Sequence, residues 1–74
     1  MEQKVLEIIN LIKKNKNESC LDHIDSSFNL RDDLGFSSFD LAELTVRIED
    51  EFDIDIFEDG LINTVGEIFD KLAE

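Results

Sequence analysis

Residues 37–52 read SSFDLAELTVRIEDEF, the most strongly helical stretch of the chain. Its apolar side chains fall within about 100° of one another on a wheel of 3.6 residues per turn. These core-facing positions are Leu41, Leu44, Thr45, Ile48 and Phe52. Ser37 is a good N-cap, and Asp40 three residues later approximates a capping box. The stretch predicts a helix over 38–52 whose polar side includes Asp40, Glu43, Arg47 and Asp50.

Two further apolar stripes flank this helix, each with the i, i+3, i+4, i+7 spacing of a helical face. The first predicts a helix over 3–14 and consists of Val5, Ile8, Ile9 and Ile12. Lysines follow at its C-terminal end, where cations interact favourably with the helix dipole. The second predicts a helix over 64–73 and consists of Val65, Ile68, Phe69 and Leu72. Thr64 and Glu67 form a capping box at its start.

The connections between these helices differ in length. Residues 17–36 form a long connection with scattered apolar anchors, namely Leu21, Ile24, Phe28, Leu30 and Leu34. Residues 53–63 have room for one helical turn around 58–61. We therefore expect a single all-α domain over residues 1–74, a small four-helix bundle of three main helices plus a short third helix or turn.

Charge is distributed unevenly over the 74 residues, which carry a formal net charge of −12. Residues 1–16 hold four lysines against two glutamates, so residues 17–74 carry −14 of that total. Such a polyanion repels nucleic acid and anionic membranes and attracts basic patches on partner proteins. The first apolar run is too short to span a bilayer, so we expect no membrane insertion.

The catalytic inventory is small, with one cysteine and one histidine. A lone cysteine favours a reducing, cytoplasmic location, and we expect Cys20 to be a small buried hydrophobic side chain. A thiol enzyme using Cys20 and His23 remains an alternative, although no third group is evident. A calcium loop starting at Asp55 would place Gly66 where a bidentate Glu is needed, so we assign no metal site.

Ser38 is the remaining candidate. It follows a turn and begins the best helix, so its hydroxyl should be exposed. A phosphate attached to it would face the free N–H groups and positive dipole end of that helix. Position alone leaves two interpretations equal, an attachment site or a pair of competing N-caps formed by Ser37 and Ser38.

The string around Ser38 distinguishes these interpretations. Residues 33–44, DLGFSSFDLAEL, resemble the modification site of acyl carrier proteins. Residues 48–56, IEDEFDIDI, look like the acidic helix end of the same family, and residues 64–68, TVGEI, resemble its last helix start. The resemblance covers nearly the whole chain, with several blocks in the right order and spacing.

The resemblance implies a non-catalytic carrier with a four-helix bundle. Ser38 would accept a 4′-phosphopantetheine arm from coenzyme A through a separate phosphopantetheinyl transferase and Mg²⁺. The arm's thiol would hold acyl intermediates as thioesters and deliver them to acyl-transferring and synthase enzymes. The bundle core would shelter part of the acyl chain, and the side chains expected to line this pocket are Phe28, Leu44, Ile48, Ile56 and Ile62.

We expect a monomer that docks its partners through the second helix. The acidic residues of this predicted docking surface meet basic patches on the partner enzymes. Two apolar residues beside them, Ala42 and Val46, complete the surface. The whole predicted docking surface consists of Asp40, Ala42, Glu43, Val46, Glu49 and Asp50.

Some positions depart from the family's pattern. Ser37 stands where an Asp is usual, Phe39 where a Leu is usual, and Arg47 where an acidic or neutral residue is usual. These changes alter the surface that partners contact. They make a specialised acyl or polyketide pathway an option beside fatty-acid and lipid synthesis. The alternatives are an aminoacyl carrier of a specialised pathway and an adaptor or regulatory domain that has kept the fold and lost the arm.

Overall fold

The computed structural model describes residues 2–58, 60 and 62–73, and its regular elements in those ranges are three helices. They are α1 (Glu2–Asn15), α2 (Ser38–Phe52) and α3 (Val65–Leu72). The all-α prediction is confirmed, with helix boundaries within one residue of those expected. In the described ranges, no helix has the length and apolar character needed to cross a membrane.

Local signals explain where α2 and α3 begin and end. Ser37 and Asp40 form the capping box of α2, and Thr64 and Glu67 form that of α3. Asp53 ends α2 in the left-handed conformation with φ 60°, and its N–H donates to the Glu49 carbonyl. These bonds satisfy backbone groups that a helix end leaves without a partner.

The short third element is a turn. Residues 56–58 form it, with Glu58 N donating to the Asp55 carbonyl at 3.3 Å and Gly60 N to the Phe57 carbonyl at 3.1 Å. Asp59 and Leu61, which belong to the predicted turn over 58–61, lie outside the described residues.

One apolar core joins the helices and the long connection, and α1 packs directly on α2. Each predicted helical stripe contributes to it. The connection adds Leu30, Leu34 and Phe36, the last of which the sequence pattern did not identify as an anchor. The buried apolar side chains are Val5, Ile8, Ile9, Ile12, Leu30, Leu34, Phe36, Leu41, Leu44, Ile48, Ile56, Ile62, Val65 and Ile68.

The long connection is also tied to the start of α3. Asn29 and Thr64 form an isolated antiparallel bridge, and Val65 N donates to the Phe28 carbonyl at 3.0 Å. Gly66 N donates to the Ser26 carbonyl at 2.9 Å. This approach is so close that a Cβ at position 66 would lie 2.9 Å from the Ser26 oxygen.

Candidate functional site

The two adjacent serines at the start of α2 have different surroundings. Ser37 is the N-cap: its hydroxyl oxygen accepts from Asp40 N at 3.3 Å, and Ser37 N donates to Asp40 Oδ2 at 2.8 Å. Ser38 is the first residue of the helix and is exposed. The cap is therefore made by Ser37, which leaves the Ser38 hydroxyl on the surface.

Positive charge faces the Ser38 hydroxyl from two directions. The first turn of α2 presents the positive end of the helix dipole. Arg31, on the preceding turn, places its Nη2 3.5 Å from Ser38 Oγ. A phosphate on this oxygen would lie between a helix N-terminus and a guanidinium group, both of which favour anions. The residues present thus fit a phosphate ester at Ser38.

Asp40 does not lie on the exposed face that the helical wheel assigned to it, and this prediction is wrong. The residue is only 8% exposed, and Lys16 Nζ lies 2.7 Å from its Oδ2. A helical wheel identifies the apolar face of a helix, but it cannot show that another segment covers the opposite side. The C-terminal end of α1 covers the first turn of α2, and Asp40 contacts it there through Lys16.

The same end of α1 holds the turn that precedes Ser38. Lys16 Nζ donates to the Gly35 carbonyl at 3.1 Å, and Lys13 Nζ donates to the Leu34 carbonyl at 3.2 Å. Glu18 accepts from both ammonium groups, at 3.3 Å from Lys13 and 3.2 Å from Lys16. Sequence reasoning assigned these lysines to the helix dipole alone. Their contacts fix the orientation of the turn that precedes Ser38.

The charges of Lys13, Lys16, Glu18 and Asp40 stabilise one another. Burial raises the pKa of Asp40, but hydrogen bonds from Lys16 and Ser37 outweigh it, and the net result is a lowered pKa. The hydrogen bond to Asp40 raises the pKa of Lys16 despite desolvation. Hydrogen bonds from Lys16 and then Lys13 lower the pKa of Glu18. Lys16, Glu18 and Asp40 are therefore ionised at neutral pH.

The other predicted docking residues share the outer side of α2. Ala42, Glu49 and Asp50 are exposed, and Val46 is 66% exposed. Glu43 is half-buried and pairs with Arg47, whose Nε lies 2.7 Å from Glu43 Oε2. An open groove runs along this side, and its lining residues are Glu43, Val46, Arg47, Glu49, Asp50, Glu51 and Asp53.

Phe39 was not assigned to the docking surface, yet it is 88% exposed directly beside Ser38. A single exposed apolar side chain is common on protein surfaces, but this one lies next to the candidate serine on the same helix turn. Its position one turn before Ala42 on the same helix was the available signal.

The side chains expected to line an acyl pocket meet in the core. Leu44, Ile48, Ile56 and Ile62 are buried in the central cluster, and Phe28 is half-buried against it. Whether an acyl chain enters between them stays a prediction.

Cys20 is exposed, so the expectation of a buried hydrophobic side chain is wrong. Its Sγ contacts the Asn10 carbonyl at 3.8 Å. The His23 ring lies instead against Phe28, with ring centroids 6.0 Å apart. Asn10 of α1 holds the adjoining Leu21 by its backbone, at 2.7 Å to Leu21 N and 3.0 Å to the Leu21 carbonyl, and Cys20 beside it stays outside the core.

Comparison with known proteins bears on this site. The family model described as phosphopantetheine attachment site matches residues 5–72. The mitochondrial acyl carrier protein of Saccharomyces cerevisiae is 36% identical over 75 residues, which cover 99% of this chain and 60% of the yeast protein. The acyl carrier protein of Picosynechococcus sp. is 36% identical over 76 residues, which cover 100% of this chain and 94% of that protein.

A third relative, the acyl carrier protein of Syntrophobacter fumaroxidans, is 44% identical over 48 residues, 62% of this chain and 59% of that protein. This chain therefore spans less than two thirds of two of the relatives it matches. No solved structure matches it with significant similarity.

The family match runs through nearly all of the chain and includes the helix that begins at Ser38. Domains of this kind carry covalently attached 4′-phosphopantetheine and act with partner enzymes. Proteins of this kind are non-enzymatic carriers. The chain belongs to the acyl carrier protein family.

Proposed function

We propose that Ser38 carries the 4′-phosphopantetheine arm and that the domain transports acyl groups on it as thioesters. The observation that supports this most directly is that the first residue of α2, Ser38, is exposed and its hydroxyl is not used in the helix cap, which Ser37 makes. An attachment point must be reached by a transferase and then by each enzyme that uses the arm. Ser38 meets that requirement.

In the proposed attachment, a transferase with Mg²⁺ brings the pyrophosphate of coenzyme A to Ser38. The Ser38 oxygen forms the new bond to the phosphorus that bears the pantetheine arm and gives up its proton to a base of the transferase. The bond from that phosphorus to the bridging oxygen breaks, and adenosine 3′,5′-bisphosphate leaves with the bridging oxygen. When bound, the arm supplies a terminal thiol that holds an acyl group. Tethering raises the effective concentration of that group at whichever enzyme docks.

Incubation of the apo-protein with coenzyme A and a broad-specificity transferase tests the attachment point. Intact mass should show addition of one arm to the wild type and none to Ser38→Ala. Ser37→Thr is the matched control, since Thr can still cap the helix. It should be loaded and remain helical by circular dichroism. Loading of Ser38→Ala would overturn the assignment.

We infer that partner enzymes recognise the outer side of α2 through basic patches. The exposed Glu49 and Asp50, beside the apolar Val46, support this proposal. Exposed charges of this kind speed encounter and select partners more than they add affinity. Such docking should weaken as salt is added, because the interacting charges are screened.

We further infer a specialised acyl or polyketide pathway. Phe39, 88% exposed beside the attachment point, and Arg47, paired with Glu43 on the docking side, support a partner set that differs from that of ordinary fatty-acid synthesis. The mass of the species bound to the arm in protein purified from its native host tests this inference. A saturated fatty acyl series would contradict it.

A reducing compartment, the cytoplasm, is the proposed location. The exposed thiol of Cys20, the one cysteine in the chain, supports it, because such a thiol persists where disulfides are not formed. The yeast relative is named a mitochondrial protein. Fractionation of host cells distinguishes the two locations.

A further inference from the structure

Arg31 is one of two arginines in the chain, and its guanidinium lies at the proposed attachment point. Its Nη2 is 3.5 Å from Ser38 Oγ, although the two residues are seven positions apart. This distance is at the outer limit of a hydrogen bond. The contact therefore stabilises a neutral hydroxyl only weakly. It does not by itself account for a cation at this position.

The backbone that carries Arg31 is held in place. Arg31 N donates to Asn29 Oδ1 at 2.9 Å, and Asn29 N donates to Asp33 Oδ2. The adjoining Leu30 is fully buried, and its N–H donates to the Asn63 carbonyl at 2.8 Å. The exposed Arg31 side chain therefore extends from a fixed backbone position near Ser38.

Charge pairing also favours an anion as the partner of Arg31. Arg47, the other arginine, already pairs with Glu43 at 2.7 Å. Across residues 2–58, 60 and 62–73, no carboxylate makes an ion pair with Arg31, although Asp32 and Asp33 follow it in sequence. In a chain with net charge −12, a cation without an acidic partner beside a phosphorylatable oxygen has a phosphate as its natural counter-ion.

We propose that Arg31 binds the phosphate of the phosphodiester on Ser38 and thereby sets the direction in which the arm leaves the domain. The inference rests on the proposed function of Ser38. Replacing the hydroxyl proton by a phosphate brings anionic oxygens toward the fork of the guanidinium, which converts a long neutral contact into charge-assisted hydrogen bonds. Arg31 is thus a phosphate-binding residue whose contact restricts the first segment of the arm.

The test compares apo- and holo-protein by NMR, with loading verified by intact mass. Attachment should shift the side-chain Nε–Hε signal of Arg31 and leave that of Arg47 in place. The ³¹P signal of the phosphodiester should shift in Arg31→Gln and shift less in Arg31→Lys, which keeps the charge without the fork. Arg47→Gln, which also removes one guanidinium, should leave the ³¹P signal unchanged. High salt should move the wild-type ³¹P signal toward the Arg31→Gln position.

Two results would overturn the inference. One is a ³¹P signal that is the same in loaded wild type and loaded Arg31→Gln. The other is an equal shift in Arg47→Gln, which would mean that net charge alone acts on the phosphate. Failure of the wild type to accept any arm at Ser38 is a different outcome, because it refutes the proposed function and the inference together.

Discussion

The Lys16 ammonium lies 2.7 Å from the Asp40 carboxylate and so joins the C-terminal end of α1 to the first turn of α2. Asp40 also completes the cap of α2 with Ser37. One carboxylate thus couples the start of the helix, the packing of α1 and the turn that presents Ser38. The position of the proposed attachment point thus involves a contact between residues 24 positions apart.

Substitution of Lys16 tests this coupling. Lys16→Gln removes the bonds to Asp40, Glu18 and the Gly35 carbonyl, and it leaves a nearly buried carboxylate without its cation. We expect a lower melting temperature than that of wild type, because an uncompensated charge is costly to bury. Lys14→Gln, on the exposed side of the same helix end, is the control and should change the melting temperature little. Equal effects would show that only net charge matters.

The pH dependence of stability should report the Asp40 carboxylate. Its folded-state pKa is below the ordinary value of 3.8, so its bonds to Lys16 and Ser37 stabilise the fold above that value. They are lost as the pH falls through the lower, folded-state pKa. Asp40→Asn should therefore be less stable than wild type at pH 7, and the gap should close below about pH 4.

Glu18 shares Lys16 with Asp40, and its pKa is also lowered, so it titrates in the same acid range. The difference between the wild-type and Asp40→Asn curves reports the Asp40 contribution together with its coupling to Glu18 through Lys16. Lys16 has a raised pKa and loses its contribution only above its ordinary value of 10.5. Urea unfolding from pH 2 to 8 provides the measurement, and a gap that stays constant would contradict the assignment.

Gly66 should resist replacement by alanine despite its place in a helix. Alanine there would ordinarily gain about 1 kcal/mol in helix propensity. Its Cβ would lie 2.9 Å from the Ser26 carbonyl oxygen and 3.0 Å from Ser26 Cβ, so the loop must move away from α3. We expect a net loss of about 1–3 kcal/mol in the free energy of unfolding, measured in urea.

Ser26→Gly in the Gly66→Ala background is the matched rescue. It removes the contact with Ser26 Cβ and leaves the contact with the carbonyl oxygen, so it should restore part of the lost stability. Gly66→Ala that equals or exceeds wild type in stability would refute the close approach of the loop to α3.

Val46→Glu should weaken docking and leave the fold intact. Val46 is 66% exposed, so a charged side chain can be accommodated, but it would have to be desolvated against a partner's apolar contact. With the transferase as partner, we expect KM for the carrier to rise about tenfold, equivalent to about 1.4 kcal/mol of docking free energy. Circular dichroism should show unchanged helicity.

Leu11→Glu adds the same charge at the exposed Leu11 of α1 and serves as the control. It should leave KM close to that of wild type. An equal rise in both variants would indicate a general effect of negative charge and not a docking surface on α2.

Much of the architecture follows from local signals in the chain. The apolar stripes of all three helices recur at helical spacing, and capping pairs such as Ser37 with Asp40 lie three residues apart. Because both kinds of signal act within one or two turns, they can be read in sequence order. The same locality placed Ser38 at the first residue of α2, and the string around it indicated the family.

Contacts between distant residues were decided by the tertiary structure alone. The burial of Asp40 depends on Lys16, the position of Arg31 beside Ser38 depends on the turn before α2, and the need for Gly66 depends on the approach of Ser26. A helical wheel cannot predict such contacts, because it contains no information on which other segment covers a helix end. They arise when the long connection folds back over α1 and α3, and that path is set by the packing of the whole core.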